Sequence, residues 1–246
     1  MFIIGIADRL PIPSEIKSHH PSTPWHPDRL IKVWRNLPSG ARRKWIWLDP
    51  GKAPATPKRL ADVVSDQPVD ADWHTAAQTR RLVGLMSPIH RRKLRAAKRT
   101  GVRMVATLFL RMRPEKGVNR QRAEISFSDV AGCVRTPMGG GSRPRILVVH
   151  GAEVRSRLLS PREAATLMGL DKSYALPEFY EAAFQVIGDG VAVPAVRFIR
   201  DKILKPVLVE TKAAFRRRKR RIKRRLPAKT NGSIRRSGER QIELAF

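Results

Sequence analysis

Apolar and polar positions alternate most regularly between Val102 and Arg113. Val102, Met104, Ala106, Leu108, Leu110 and Met112 fall on one side, and Arg103, Thr107, Arg111 and Arg113 on the other. A period of two is the signature of a β-strand with one face on a core, and here the second face is left free to meet an anion. Lys116-Gly117-Val118-Asn119 reads as a turn, and the alternating Ala123, Ile125 and Phe127 as the partner strand. Ile146 to Val149 forms a third, wholly apolar strand. The helical period appears at Leu30, Val33, Trp34 and Leu37, and again at Leu82, Leu85, Met86 and Ile89. Pro88 interrupts the second set. Because Ser87 can cap a helix and Pro88 suits its first turn, a new helix is predicted from there to about Gly101.

The flanks are less regular. Met1 to Ala7 is an apolar run of strand length, which predicts a strand covered on both faces. Residues 11–28 carry five prolines and three histidines and predict an irregular connector. His19, His20 and His26 read as exposed loop residues, since no cysteine or acid stands at a metal-ligand spacing from them. Trp45 and Trp47 suggest a short strand, and Pro50 to Pro57 a turn-rich link.

Toward the C-terminus, Ser160-Pro161-Arg162-Glu163 is a capping box. Ser160 accepts from the third helical amide, Pro161 fills a position that needs no donor, and Glu163 reaches back to the cap. The helix should run through Leu167 and stop at Gly169. A loop from Asp171 to Pro177 follows, then a helical segment with Phe179, Phe184 and Val186, and a Gly188-Asp189-Gly190 turn. A last helix has Pro194 near its start and Ala192, Val196, Ile199 and Ile203 on its buried stripe, with the folded part ending near Leu208.

Charge changes the picture more than hydrophobicity does. With 41% hydrophobic residues the 246-residue chain has enough apolar side chains for one or two cores. Fifty Lys and Arg against 21 Asp and Glu give a net charge of +29, which draws polyanions and makes nucleic acid the first partner to expect. Ser87 to Gly101 carries Arg91, Arg92, Lys93, Arg95, Lys98 and Arg99, a helix suited to phosphates. From Lys212 to Arg236 there is no acid at all, which reads as a disordered or conditionally helical basic tail that contacts phosphates. Cys133 is the only cysteine, so no internal disulfide or cysteine-rich zinc site is possible. No apolar stretch approaches the roughly 20 residues of a bilayer span and no signal peptide is visible, so the expectation is a cytoplasmic protein with no membrane partner.

The order of the C-terminal motifs is more specific than any one of them. Arg157-Leu158-Leu159-Ser160-Pro161-Arg162-Glu163-Ala164, then Met168-Gly169-Leu170 and a Tyr174 loop, then Gly188-Asp189-Gly190-Val191-Ala192-Val193-Pro194, resembles the ninth and tenth motifs of DNA cytosine-5 methyltransferases. Upstream, Ala131-Gly132-Cys133-Val134-Arg135-Thr136-Pro137-Met138-Gly139-Gly140-Gly141-Ser142-Arg143 resembles the close of that family's target-recognition domain. The resemblance implies a mixed α+β chain, the C-terminal part of a Rossmann-like α/β methyltransferase. Residues 1–28 would be a strand and connector of the catalytic domain and 29–150 the recognition domain. Residues 151–208 would be the end of the catalytic domain and 209–246 a basic tail. It implies double-stranded DNA as substrate and S-adenosylmethionine as cofactor. Gly188, Asp189, Gly190 and Val191 would lie against the cofactor, although Asp189 and Gly190 depart from the family's commoner Asn and Ser. Arg103, Arg111, Arg135, Thr136, Gly139, Gly140 and Arg143 are the candidate DNA contacts.

The chemistry of cytosine methylation needs a cysteine nucleophile, an acid and a flipped base. By resemblance, the nucleophile belongs in a Pro-Cys dipeptide and the acid in a Glu-Asn-Val run. Neither is present in the 246 residues. Cys133 follows Gly132 and reads as a small apolar strand residue, so no catalytic residue and no metal ligand is assigned. Arg162 and Glu163 are expected to hold the recognition and catalytic parts together. The chain is therefore expected to be inactive alone, its catalytic half standing on a separate chain, as a natural subunit or a truncated reading frame. The alternatives are a stand-alone basic DNA-binding protein and, on the strength of the tail, an RNA-associated one.

Overall fold

The computed structural model describes residues 4–22, 24–52, 58–134, 136 and 143–225. They form a mixed α+β protein with two antiparallel sheets. The chain groups into two compact units, one of residues 1–49 with 203–246, the other of residues 50–202.

The first unit opens irregularly. Residues 4–7, expected to be a buried strand, pair with no strand, and Ile4 and Ile6 are only half-buried. They pack instead beside Ile16, Ile203 and Val207, so side-chain burial alone accounts for the apolar run. Ser14–Ile16 is one 3-10 turn. β1 (Lys17–Ser18) pairs with β2 (Trp47–Leu48), and between them lie α1 (Asp28–Arg35) and α2 (Ser39–Lys44). Trp47, 5% exposed, is the hub of a ring cluster with His26 at 4.7 Å, Trp45 at 5.3 Å and Trp34 at 5.5 Å. His26 is thus buried, contrary to its reading as an exposed loop residue. Its Nδ1 accepts the Ser22 amide at 2.8 Å, so its polar atom is satisfied as its ring fills the core.

The second unit is built around a four-stranded sheet covered on both faces. α3 (Leu60–Val63), α4 (Ala76–Gly84) and α5 (Pro88–Arg99) precede it. β3 (Met104–Glu115), β4 (Val118–Ser126), β5 (Arg145–His150) and β6 (Glu153–Leu158) stand in the order β4-β3-β5-β6, every pair antiparallel. The β3–β4 hairpin closes on Lys116 and Gly117, both at positive φ, the backbone that a two-residue hairpin with native twist requires. α6 (Pro161–Leu167), α7 (Tyr180–Asp189) and α8 (Val193–Ile199) follow the sheet.

Alternation sorts the strands into two cores. Ala106, Leu108, Ala123, Ile125, Leu147 and Val149 face Met86 and, from α5, Leu94 and Ala97. Val105, Ile146 and Val148 face Leu60 and Val64 at α3, Ala164 and Ala165 of α6, and Phe184 and Ile187 of α7. The expectation that β3 offers a free face is therefore overturned in its first half. Val105 and Thr107 lie on the side expected to be open and are 2% and 7% exposed. From Arg111 to Pro114 the strand is exposed and charged.

Both edges of the packed part of the sheet are covered, the β4 edge by the end of α4 and by α5, the β6 edge by irregular chain. On the β4 side, Ala123 N–H donates to the Leu85 carbonyl at 3.1 Å and Ile125 N–H to His90 Nδ1 at 3.1 Å. On the β6 side, His74 N–H donates to the Ser156 carbonyl at 2.9 Å, beside a bridge between Trp73 and Arg157.

Several C-terminal details differ from expectation. Gly188 and Asp189 are the last turn of α7 rather than a separate turn, and Ala183, Phe184 and Ile187 make its buried stripe. Phe179, the N-cap, and Val186 are exposed. Val196 of α8 is also exposed, and that helix buries no residue. A π-helical turn, Arg200–Leu204, leads into α9 (Lys205–Arg225) of the first unit. The helix thus runs well past Leu208, because Lys and Arg are good intrinsic helix formers. Within Tyr180–Arg221 one window reaches a mean hydropathy of 1.4, enough by length and composition alone for a membrane-crossing helix, contrary to expectation. Gly190 to Ala192 break the helix inside that run.

Candidate functional site

The capping box forms as its sequence dictates. Glu163 N–H donates to Ser160 Oγ at 3.1 Å, and Ser160 N–H donates to Glu163 Oε2 at 3.1 Å. Glu163 is also half of a buried ion pair. Arg157, on β6 and wholly inaccessible, donates from Nη1 to Oε2 and from Nη2 to Oε1, both at 2.7 Å. Ser65, just beyond α3, donates its amide to Glu163 Oε1 at 2.8 Å and accepts from Arg157 Nη2 at 2.7 Å. The guanidinium lies 4.9 Å from the Trp73 ring. One bidentate pair thereby ties α3, β6 and α6 together. Arg162 holds a different region: its amide donates to Asp70 at 2.9 Å and its Nη1 to the carbonyls of Lys172 and Tyr174. Arg157 is the first residue of the motif but was given no role, and its burial depends on Ser65, 92 positions away.

The end of α6 sets the position of the next motif. Gly169 has φ +78, and a Cβ there would stand 2.5 Å from Pro194 Cδ. Val193 N–H donates to the Met168 carbonyl at 2.9 Å. Gly188 to Val191, the end of α7 and the two residues after it, therefore lead into a junction that only glycine permits. Gly190 is extended and Val191 is 54% exposed. Asp189 accepts a 2.7 Å hydrogen bond from Thr136 Oγ1, which joins two residues expected to serve different ligands.

The candidate DNA contacts are not gathered in one place. Arg103 donates to Asp66 and to the carbonyls of Ala61 and Val64. Arg143 pairs with Glu181 and lies 5.6 Å from the Tyr180 ring. Burial pushes the Tyr180 hydroxyl well above the ordinary phenol range, Glu181 adds to this, and Arg143 and Arg145 oppose it. Arg111 sits in the outer half of the β3–β4 hairpin, where Arg111 faces Arg122 and Arg113 faces Arg120 across the strands. Like charges directly opposite repel. Glu124, between Arg111 and Arg113, and Glu115, against Arg122, reduce that cost. The Arg113 hydrogen bond is the main reason the Glu124 carboxyl is held below the usual carboxylate range. Arg135, Gly139 and Gly140 lie outside the described residues.

Cys133 is exposed and in no strand, a correction to its reading as an apolar strand residue. The adjoining Gly132 packs on Phe109, leaving the thiol outside. Among the described residues no group of His, Cys, Asp or Glu could hold a metal ion.

The profile of the family described as C-5 cytosine-specific DNA methylase matches residues 27–205, nearly three-quarters of the chain and every motif named above. The chain belongs to that family. The activity of C-5 cytosine methylases is methyl transfer to cytosine in DNA, and they generally take the methyl group from S-adenosylmethionine. No curated protein and no solved structure is significantly similar to this methylase-family chain.

Proposed function

We propose that this chain is the DNA-reading and cofactor-closing portion of a cytosine-5 DNA methyltransferase, whose nucleophile and catalytic acid are supplied by a separate N-terminal half. The observation that carries the proposal is the pairing of family match with missing chemistry. The match spans 27–205, yet no Pro-Cys and no Glu-Asn-Val occurs in the chain. Exposed apolar side chains in and beside the last matched helices support it: Phe179, Val186, Val191 and Val196 are 44–79% exposed, and exposed apolar surface suits a partner.

In this reading residues 29–150 provide target recognition and 151–208 the end of the catalytic domain. The division at 150/151 is one of role, since it falls in the hairpin turn of one continuous sheet. Gly188 to Val191 fit the edge of a cofactor site: Gly190 adds no side chain and Val191 is open to a ligand. S-adenosylmethionine would supply the methyl group there. Asp189, held by Thr136, fixes the loop rather than reaching for the cofactor. The outer hairpin is the DNA contact we favour among the candidates, because phosphates would relieve the repulsion of Arg111 and Arg122 and of Arg113 and Arg120.

A stand-alone DNA-binding protein is the second reading. It is favoured by the two complete cores of residues 50–202, which require no further chain to cover the sheet. The deciding experiment follows a labelled methyl group from S-adenosylmethionine into duplex DNA. This chain is assayed alone and mixed with a folded N-terminal half that carries the Pro-Cys dipeptide. Activity in the mixture alone is the expected result. No activity in either tube, with specific duplex binding by this chain alone, would replace the subunit reading with the second.

A further inference from the structure

α9 begins where the family match ends, at residue 205. Its first turn is anchored, with Val207 buried beside Ile16 and Ile203. After Glu210 it contains no acid. Arg216, Arg217, Arg218, Lys219, Arg220 and Arg221 are six consecutive cations, all of them exposed, and Arg217 pairs with Glu210.

The geometry of this run selects its partner. Successive helical residues are rotated by about 100°, so six of them pass fully around the axis. A helix lying on a membrane needs charge on one side and an apolar face on the other. Here the exposed Leu208, Val209 and Phe215 precede the cationic run, and within the run every direction is cationic. The groove of a duplex presents phosphates along both walls and is wide enough for one helix. The charge spacing also matches: about 1.5 Å of rise per helical residue against one phosphate per roughly 1.7 Å of DNA axis.

We propose that the Arg216–Arg221 segment of α9 is a second, sequence-independent contact to the phosphates of duplex DNA. It lies outside the methylase match and holds whether or not the chain serves as a methyltransferase subunit. In a complex it would raise affinity for any duplex and leave target choice to the sheet unit.

The test uses the full chain, a variant with all six cations changed to Gln, and a variant with the five arginines changed to Lys. Binding to two short duplexes of unrelated sequence is measured by fluorescence anisotropy over a range of salt. If about five of the six cations meet phosphates, the slope of log affinity against log salt becomes shallower by about 4 to 5 in the Gln variant, equally for both duplexes. The Lys variant should retain the original slope, and circular dichroism should show the helix kept in all three. An unchanged slope in the Gln variant overturns the proposal. So does a Gln variant that loses binding to phosphatidylserine vesicles while its DNA slope is unchanged, which would make the helix a membrane element. A Lys variant that behaves like the Gln variant overturns the non-specific character of the contact.

Discussion

Replacing Glu163 by Ala tests whether the Arg157 pair latches the second unit together. The carboxylate accepts from both Arg157 terminal nitrogens and from the amides of Ser65 and Ser160, at 2.7 to 3.1 Å. Its removal leaves the Arg157 guanidinium, 0% exposed, as an unpaired charge in the core. Breaking one partner of such a pair costs about 3–5 kcal/mol, whereas an exposed pair is worth about 0–1. With about 2–4 °C per kcal/mol for a chain of this size, the midpoint should fall by roughly 6–20 °C. Thermal unfolding followed by circular dichroism measures it. The double change Arg157→Met with Glu163→Leu should recover much of the loss, since an apolar pair of similar volume is often neutral. A residual deficit of about 1–3 kcal/mol should persist from the stranded Ser65 and Ser160 main-chain groups. A Glu163→Ala cost below about 1 kcal/mol, with no gain in the double variant, would refute the latch.

Two further outcomes follow from local geometry. Gly169→Ala must adopt φ +78 and press its Cβ on Pro194; a loss of at least about 1–2 kcal/mol in urea unfolding is expected, and a neutral effect would show that the junction yields. The imidazole of His74, within 2.9 Å of Ser156 Oγ, is held below its ordinary value of about 6.5 first by burial and then by Arg145. The unfolded chain therefore takes up this proton before the folded one does, so stability should decline as pH falls below about 6.5, and His74→Gln should remove that part of the pH dependence.

Local chemistry was the legible part of this protein. Ser160 and Glu163 cap a helix from three residues apart, Pro88 opens α5 after Ser87, whose side chain makes no cap hydrogen bond, and Lys116-Gly117 turns a hairpin, all without help from distant chain. What was not legible depended on partners. β6 sets Arg155 and Arg157 among Val154, Ser156 and Leu158 and was assigned no element, yet Arg157 is buried by Glu163 and Ser65 while Arg155 lies over Trp73 at 4.3 Å. Val105 and Phe109 share a side of β3 with Arg103 and Arg111, a signal that the second face is covered as well. The Thr75-x-x-Gln78 box that caps α4 was also readable, and marks a helix start ahead of the Leu82 repeat. The link from Thr136 to Asp189 had no local signal, since 53 positions separate them.

The covered sheet edges bear on how this chain stays apart from copies of itself. A strand with unpaired amides recruits other strands. Here Leu85 and His90 occupy amides of β4, and His74 occupies the carbonyl of Ser156 on β6. The outer hairpin that extends beyond this cover carries Arg120 and Arg122, whose charge repels a second copy. Strand-on-strand polymerisation is thereby disfavoured at both ends of the sheet, leaving side-chain surfaces as the route by which another molecule attaches.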